Sequence, residues 1–318
     1  MTPHPAFSGP SSGRSPSGGR VAATRFVDPR VLARIGNLEL VSRMVVDGFI
    51  SGLHQAVFKG VSVDFAEHRP YVPGDDIRRI DWRLFARTDR LYLKTFQAET
   101  NANVMFALDV SRSMDFASQG LSKLDYGRFV IGCLIHLAGR QNDQVGLTGL
   151  DSDLVAMIPP SARRRDVVMR SLNRLPATGS GDLCAALSRL ARRLGRRGVL
   201  VVVSDFYAEP REVAAALDEL RLRGQEVIAL HLLDPAEREL RHAGPVVLED
   251  MESGSRIPVV PEVIREEYRR QTEAHRAELE QRLGGRRIDY ACFGTDQPLD
   301  HMLHHYLATR AWRARVRR

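Results

Sequence analysis

Lysine is almost missing from this chain of 318 residues: it stands only at Lys59, Lys94 and Lys123, so nearly all positive charge is arginine. Such a bias reflects codon usage as readily as phosphate recognition. Cysteine is equally scarce. Cys133, Cys184 and Cys292 lie far apart in apolar stretches, form no C-x-x-C and are odd in number, which excludes a disulfide framework and leaves reduced core thiols as the expectation. No apolar run approaches the roughly 20 residues that span a bilayer; even Phe129 to Ala138 is interrupted by His136. The start is rich in Ser, Gly and Pro without an apolar core segment, so residues 1–28 are expected to form a disordered arm and not a signal peptide. A soluble, cytoplasmic protein without an integral membrane segment is therefore expected. There is no G-x-x-x-x-G-K-[ST], which excludes a P-loop ATPase. No G-x-S-x-G stands between a predicted strand and a helix, and no cysteine has a positioned histidine nearby in sequence, which argues against nucleophilic catalysis.

What is present begins with a formal charge of +7, which dissolves on inspection as a nucleic-acid signal. Residues 1–30 contribute +3 and the stretch from Arg310 to Arg318 contributes +5, leaving the body near −1. The basic tail suits an acidic partner or a membrane surface. The segment Arg189 to Arg197 places leucines at helical spacing beneath its arginines, the pattern of an ordinary solvated helix face.

From Asn103 onward, short apolar runs alternate with amphipathic ones. Strands are predicted at Asn103–Val110, Gln144–Leu150, Val199–Val203, Glu226–Leu232 and Arg287–Cys292, with Leu154–Ile158 completing a hairpin. Helices are predicted at Leu124–Arg140, Arg163–Leu175, Asp182–Leu194, Glu209–Arg223, Pro261–Leu283 and Pro298–Trp312, and Val246–Leu248 with Ile257–Val260 reads as a further hairpin. Before this region, Asp28-Pro29 starts a helix expected to run to about Val46. Residues 48–100 break into short runs, such as Val57–Phe65 and Arg90–Phe96, and read as a small strand-containing subdomain. The fold class is α/β: a doubly wound, mostly parallel sheet with helices on both faces and that small N-terminal subdomain.

The chemistry concentrates where the first long strand ends. Asp109-Val-Ser111-Arg-Ser113 is a D-x-S-x-S at the carboxyl edge of a buried strand, where open α/β sheets bind ligands. One carboxylate and two hydroxyls suit a hard divalent cation such as Mg²⁺, which accepts few protein oxygens and leaves positions for water or a partner's carboxylate. Val199 to Val203 delivers a second acid, Asp205, to the same edge, and two such acids repel unless a cation or protons intervene. The plainer alternative is that both aspartates cap loops and both serines bond turn backbone.

These residues resemble von Willebrand factor type A domains. Asp109 to Ser113, the Thr178 to Leu183 loop and Ser204-Asp205 follow the layout of that family's metal-ion-dependent adhesion site (MIDAS), and the resemblance covers about residues 101–295. It implies a Mg²⁺ site at Asp109, Ser111, Ser113 and Asp205. The family's threonine position is Gly181 here, so Thr178, Ser180 or Asp182 is left to supply the missing oxygen, directly or through water, unless the metal is weakly held or not bound.

A second resemblance rests on Gly60 to Thr88, which contains Glu67-His-Arg-Pro-Tyr-Val-Pro-Gly-Asp-Asp76 and Ile80-Asp-Trp-Arg83. It looks like the signature of the bacterial domain of unknown function 58, followed there by a type A-like domain, and the match runs from Val31 to about Thr295. The resemblance implies a role beside MoxR-type AAA+ ATPases in chaperone-like assembly or maturation. In physical terms, Glu67, Asp75, Asp76 and Asp81 among Arg69, Arg78, Arg79, Arg83 and Arg87 form an ion-pair network, a binding surface or, least favoured, a second metal cluster. His301 and His305 share a helix face beside His304 but lack the glutamate of a zinc protease helix, so surface or packing histidines are expected.

The expected organisation is an arm at 1–28, a helix and signature subdomain at 29–100, the type A-like domain at 101–295, and a C-terminal helix with a basic tail at 296–318. The expected function is a non-enzymatic adaptor that binds a MoxR-type ATPase and a protein client through a Mg²⁺-bearing edge, with no nucleic acid involved. Its rivals are a Mg²⁺- or Mn²⁺-dependent hydrolase using Asp109, Asp205 and Asp182, and a structural module with an empty metal site.

Overall fold

The computed structural model describes residues 29–57, 68–70, 92–94 and 102–316, except 178, 180, 196, 241–243 and 252–253. The arm at 1–28, nearly all of the Gly60 to Thr88 block with its charged cluster, and both Thr178 and Ser180 lie outside the described residues.

Helices α1 (Pro29–Ala33) and α2 (Leu38–Val57) open the chain, and a short antiparallel pair follows, β1 (His68–Pro70) with β2 (Tyr92–Lys94). The alternating region then gives β3 (Asn103–Asp109), a 3-10 turn at Arg112–Asp115, α3 (Lys123–Arg140), β4 (Gln144–Leu150), β5 (Leu154–Ser161), α4 (Arg165–Arg174) and α5 (Leu183–Arg193). It continues through β6 (Gly198–Ser204), α6 (Pro210–Leu222), β7 (Gln225–Leu233), α7 (Pro235–Glu239), the hairpin β8 (Val246–Glu249) and β9 (Arg256–Val259), α8 (Pro261–Gly284), β10 (Asp289–Gly294) and α9 (Leu299–Val316).

Side-chain alternation at period two builds a sheet buried on both faces. Val104, Phe106 and Leu108 of β3 join Val199, Val201 and Val203 of β6 in one apolar cluster, beneath α2, α3, α4 and α9. Met105 and Ala107 join Leu200 and Val202 in the other, beneath α5, α6 and α8. The sheet order is β10-β7-β6-β3-β4-β5, parallel throughout except for β5, which runs antiparallel to β4. From β3 the chain moves to β4 on one side, then crosses over to β6 on the other. This reversal opens a crevice beyond the carboxyl ends of β3 and β6. Helix α3 seats closely on the sheet face beside it, because a Cβ on Gly127 would stand 2.9 Å from Leu108 Cδ1.

Two expectations shift. The single helix expected from Pro29 to about Val46 is two, α1 and α2, parted at Gly36 with its φ of 68°. The second continues to Val57, because Leu38, Val41 and Val46 pack into the same cluster as α3 and α9, and that packing carries the helix through Gly48. The five-residue α7 had no counterpart in the sequence reading. Cys133 is buried, and Cys184 and Cys292 are half-buried, all three as free thiols. Burial pushes the Cys133 thiol up to about 12, in keeping with inert core packing. No described helix is long and apolar enough to cross a membrane.

Candidate metal centre

Each of the five parallel strands ends at an aspartate on the carboxyl edge: Asp109 on β3, Asp151 after β4, Asp205 after β6, Asp234 after β7 and Asp296 two residues beyond β10. Their surroundings divide them by task. Asp296 pairs with Arg238 at 3.2 Å. Asp234 caps α7 by accepting from Ala236 N–H at 2.8 Å, and it accepts from the backbone N–H of Ser118 at 3.0 Å.

Asp109 sits in the crevice, 4% exposed, and among the described residues is met only by neutral donors. Its Oδ1 accepts from Ser111 N–H at 2.9 Å and from the Ser111 hydroxyl at 2.7 Å, and its Oδ2 accepts from the Ser204 hydroxyl at 2.6 Å. Ser204 Oγ in turn accepts from Phe206 N–H at 3.0 Å. Ser111 spends its one proton on Asp109, so Ser113, 3.0 Å away, donates to Ser111. The hydroxyl protons thus run toward the carboxylate from both sides. Burial, followed by the charge of Asp205, nevertheless outweighs these bonds and pushes the Asp109 carboxyl up to about 6.

Asp205 lives differently. Its Oδ2 takes the Lys123 ammonium at 2.8 Å, and Lys123 reaches Glu237 Oε1 at 2.6 Å on its other side. The lysine side chain is fully buried at the first turn of α3, where the helix dipole also disfavours a cation, so both carboxylates are needed to hold it charged. Burial lowers its pKa, but Asp205 and Glu237 outweigh that, and the net direction is upward. The Tyr207 ring lies 4.8 Å from the ammonium. Glu237 is fixed by a capping box, its Oε2 accepting from Asp234 N–H at 2.8 Å, so α7 exists to present it. Phe206, buried with φ of 45°, is a bulky residue in the left-handed region, held there by the Ser204 bond and by His275 Nε2 at 2.9 Å from its carbonyl.

The loop opposite explains the departure at Gly181. A Cβ there would stand 2.7 Å from Ser111 Cβ, so a threonine at this position would collide with the D-x-S-x-S loop as it is folded. Arg112 N–H donates to Gly179 O at 3.3 Å and ties the two loops together. Asp182 is exposed and serves as the N-cap of α5, accepting from Ala185 N–H at 2.9 Å.

The structure therefore brings Asp109, Ser111 and Ser113 together, sets Asp205 beside them but on Lys123, and gives Asp182 to a helix cap. Among the described residues no cluster of three His, Cys, Asp or Glu side chains forms a metal cage. The hydroxyl pair still fits a hard cation: ligands at about 2.0–2.1 Å in an octahedron stand about 3 Å apart at neighbouring vertices, the separation of Ser111 Oγ and Ser113 Oγ. Sequence reading missed Lys123, Glu237 and Asp151. The rarity of lysine and the Asp234-Pro-Ala-Glu237 capping pattern were the available signals. The histidines on α9 pack: His304 lies against Phe49 and His305 against Phe293.

Residues 67–278 match the family model described as "Protein of unknown function DUF58". The chain belongs to the DUF58 family. Among curated proteins, the uncharacterized protein Rv1480 of Mycobacterium tuberculosis is 30% identical over 264 residues, covering 81% of this DUF58 chain and 83% of its own. The uncharacterized protein Mb1516 of Mycobacterium bovis gives the same figures. Among solved structures, the conserved hypothetical protein BatB of Bacteroides thetaiotaomicron is 17% identical with a TM-score of 0.44, covering 65% of this chain and 98% of its own. The VWA domain of SpRpn10 is 9% identical with a TM-score of 0.39, covering 63% and 92%.

Proposed function

We propose that this DUF58 protein is a non-enzymatic adaptor that engages a protein partner at the crevice between β3 and β6, with a divalent cation, Mg²⁺ by its donor chemistry, on Asp109, Ser111 and Ser113. The observation that supports this most directly is the meeting of a buried carboxylate with two hydroxyls 3.0 Å apart at the topological switch point. When bound, the cation supplies a Lewis-acid contact for a carboxylate of the partner. The protein's own part is to hold the oxygens rigidly: Ser204 and the Ser111 backbone fix Asp109, and Lys123 holds Asp205 in an ion pair. Family resemblance implies the partner, a MoxR-type AAA+ ATPase, which would provide the nucleotide chemistry that this chain has no P-loop for, together with a protein client.

A hydrolytic reading would need a general base. Near this edge His275 Nε2 is held 2.9 Å from the Phe206 carbonyl, and His231 has its ring buried, with Nδ1 2.6 Å from the Tyr290 hydroxyl, and burial pushes it down to about 3. Such an imidazole is walled off from a substrate in solvent. The reading of a structural module without metal is favoured by one observation, the neutralisation of Asp205 by Lys123.

The test is capture of the MoxR-type ATPase on the immobilised full chain, in Mg²⁺ and in chelator, with wild type and Asp109→Ala. Capture that needs both Mg²⁺ and Asp109 is expected; equal capture in all conditions contradicts the metal-bridged contact.

A further inference from the structure

The strand that carries Asp109 has two neighbours, β6 and β4, and each ends at an acid. The acid after β6, Asp205, brings a charge already matched by the buried Lys123. A divalent cation beside Asp109 needs a second negative charge nearby, since one carboxylate leaves it half-compensated at a site of low dielectric. The acid after β4 is Asp151. Its carboxylate borders the space in front of Gly181: a Cβ placed on that glycine would stand 2.7 Å from Ser111 Cβ and 3.6 Å from Asp151 Oδ1. A Cβ on Gly179 would run directly into the same carboxylate. The two glycines leave room for an acidic side chain reaching in from β4: a side chain at 179 would collide with it, and one at 181 would stand against it.

We propose that Asp151 is the second charged ligand of the cation site, supplying the oxygen that Gly181 lacks and taking the charge-balancing role that Lys123 removes from Asp205. This rests on the reading that Asp109, Ser111 and Ser113 bind a divalent cation. A carboxylate is a harder and more strongly binding donor than a threonine hydroxyl, so the exchange preserves selectivity for Mg²⁺ over softer metals. It also shifts the cation toward the β4 side of the crevice, away from the lysine.

The experiment is calorimetric titration of Mg²⁺, and separately Mn²⁺, into the metal-stripped full chain, comparing wild type with Asp109→Asn, Asp151→Asn, Asp151→Glu and Asp205→Asn. The thermal midpoint of each metal-free variant serves as the folding control. Asp151→Asn is expected to weaken Mg²⁺ binding by about tenfold or more at an unchanged midpoint, with Asp151→Glu recovering part of the loss. Asp205→Asn is expected to lower the midpoint, by loosening Lys123, while changing the affinity less than Asp151→Asn does. If Asp109→Asn abolishes binding but Asp151→Asn binds as wild type, or Asp205→Asn costs more affinity than Asp151→Asn, the role of Asp151 is overturned and the cation site stands. If wild type binds neither ion, the cation site itself falls and this assignment with it.

Discussion

Asp109 and Asp205 end neighbouring parallel strands and are buried to the same degree, yet their electrostatic surroundings are opposite. Asp205 is answered from within the protein by a lysine ammonium, and Asp109 only by hydroxyls and an amide. The difference teaches that a pair of acids at a switch point need not share one cation. One half of this pair is already closed, and the open half is where an external cation or a proton has work to do.

The sharpest way to break the contrast is to remove the internal cation. Lys123→Met leaves Asp205 and Glu237 buried without a counter-charge and is expected to cost about 3–5 kcal/mol of stability in denaturant unfolding. If added Mg²⁺ restores much of that loss in the variant, the two halves of the crevice are interchangeable after all.

A second prediction concerns the open half and carries a definite sign. The Asp109 carboxyl is raised in the folded protein from 3.8 to about 6, so the folded state holds its proton more tightly than the unfolded state does. The resulting stability is fully present below about pH 4 and is lost as pH rises through about 6, a change of about 3 kcal/mol. Asp109→Asn should remove that slope from the difference between the two unfolding profiles, and saturating Mg²⁺ should flatten it in wild type.

Gly181→Thr, which introduces the side chain that the resemblance to type A domains would place there, is expected to cost about 1–3 kcal/mol through collision with Ser111, seen as a lowered denaturation midpoint, and to weaken cation binding with it. A neutral effect would mean that the two loops are looser than the close approach of 2.7 Å implies. Tyr207→Leu should have the smallest effect, about 0.5–1 kcal/mol from the lost cation–π contact with Lys123.

The contrast also marks where sequence reading succeeds and where it runs out. The alternation of strands and helices from Asn103 to Gly294 was legible because buried parallel strands read as short apolar runs bounded by turn residues, and the bounds of the parallel strands fall within two residues of those expected, while the antiparallel β5 runs three residues past Ile158. Asp109, Ser111 and Ser113 were legible for the same reason, as small polar residues placed at once after such a run. Lys123 was not, because its partners lie at 205 and 237, and nothing local announces that a helix will open on a buried cation. Asp151 was hidden likewise: its relation to Gly181 spans a hairpin and a helix. The helix to Val57 was missed because Gly48 reads as a break until the surface that α2 packs on is known.

Titration of Mg²⁺ into wild type and Asp109→Asn at pH 7.5 and pH 5.5 tests the central claim most directly. The account predicts one site in wild type, weaker at the lower pH where a proton competes for Asp109, and no binding in Asp109→Asn at either pH. Binding that is equal in both proteins, or that does not respond to pH, would contradict it.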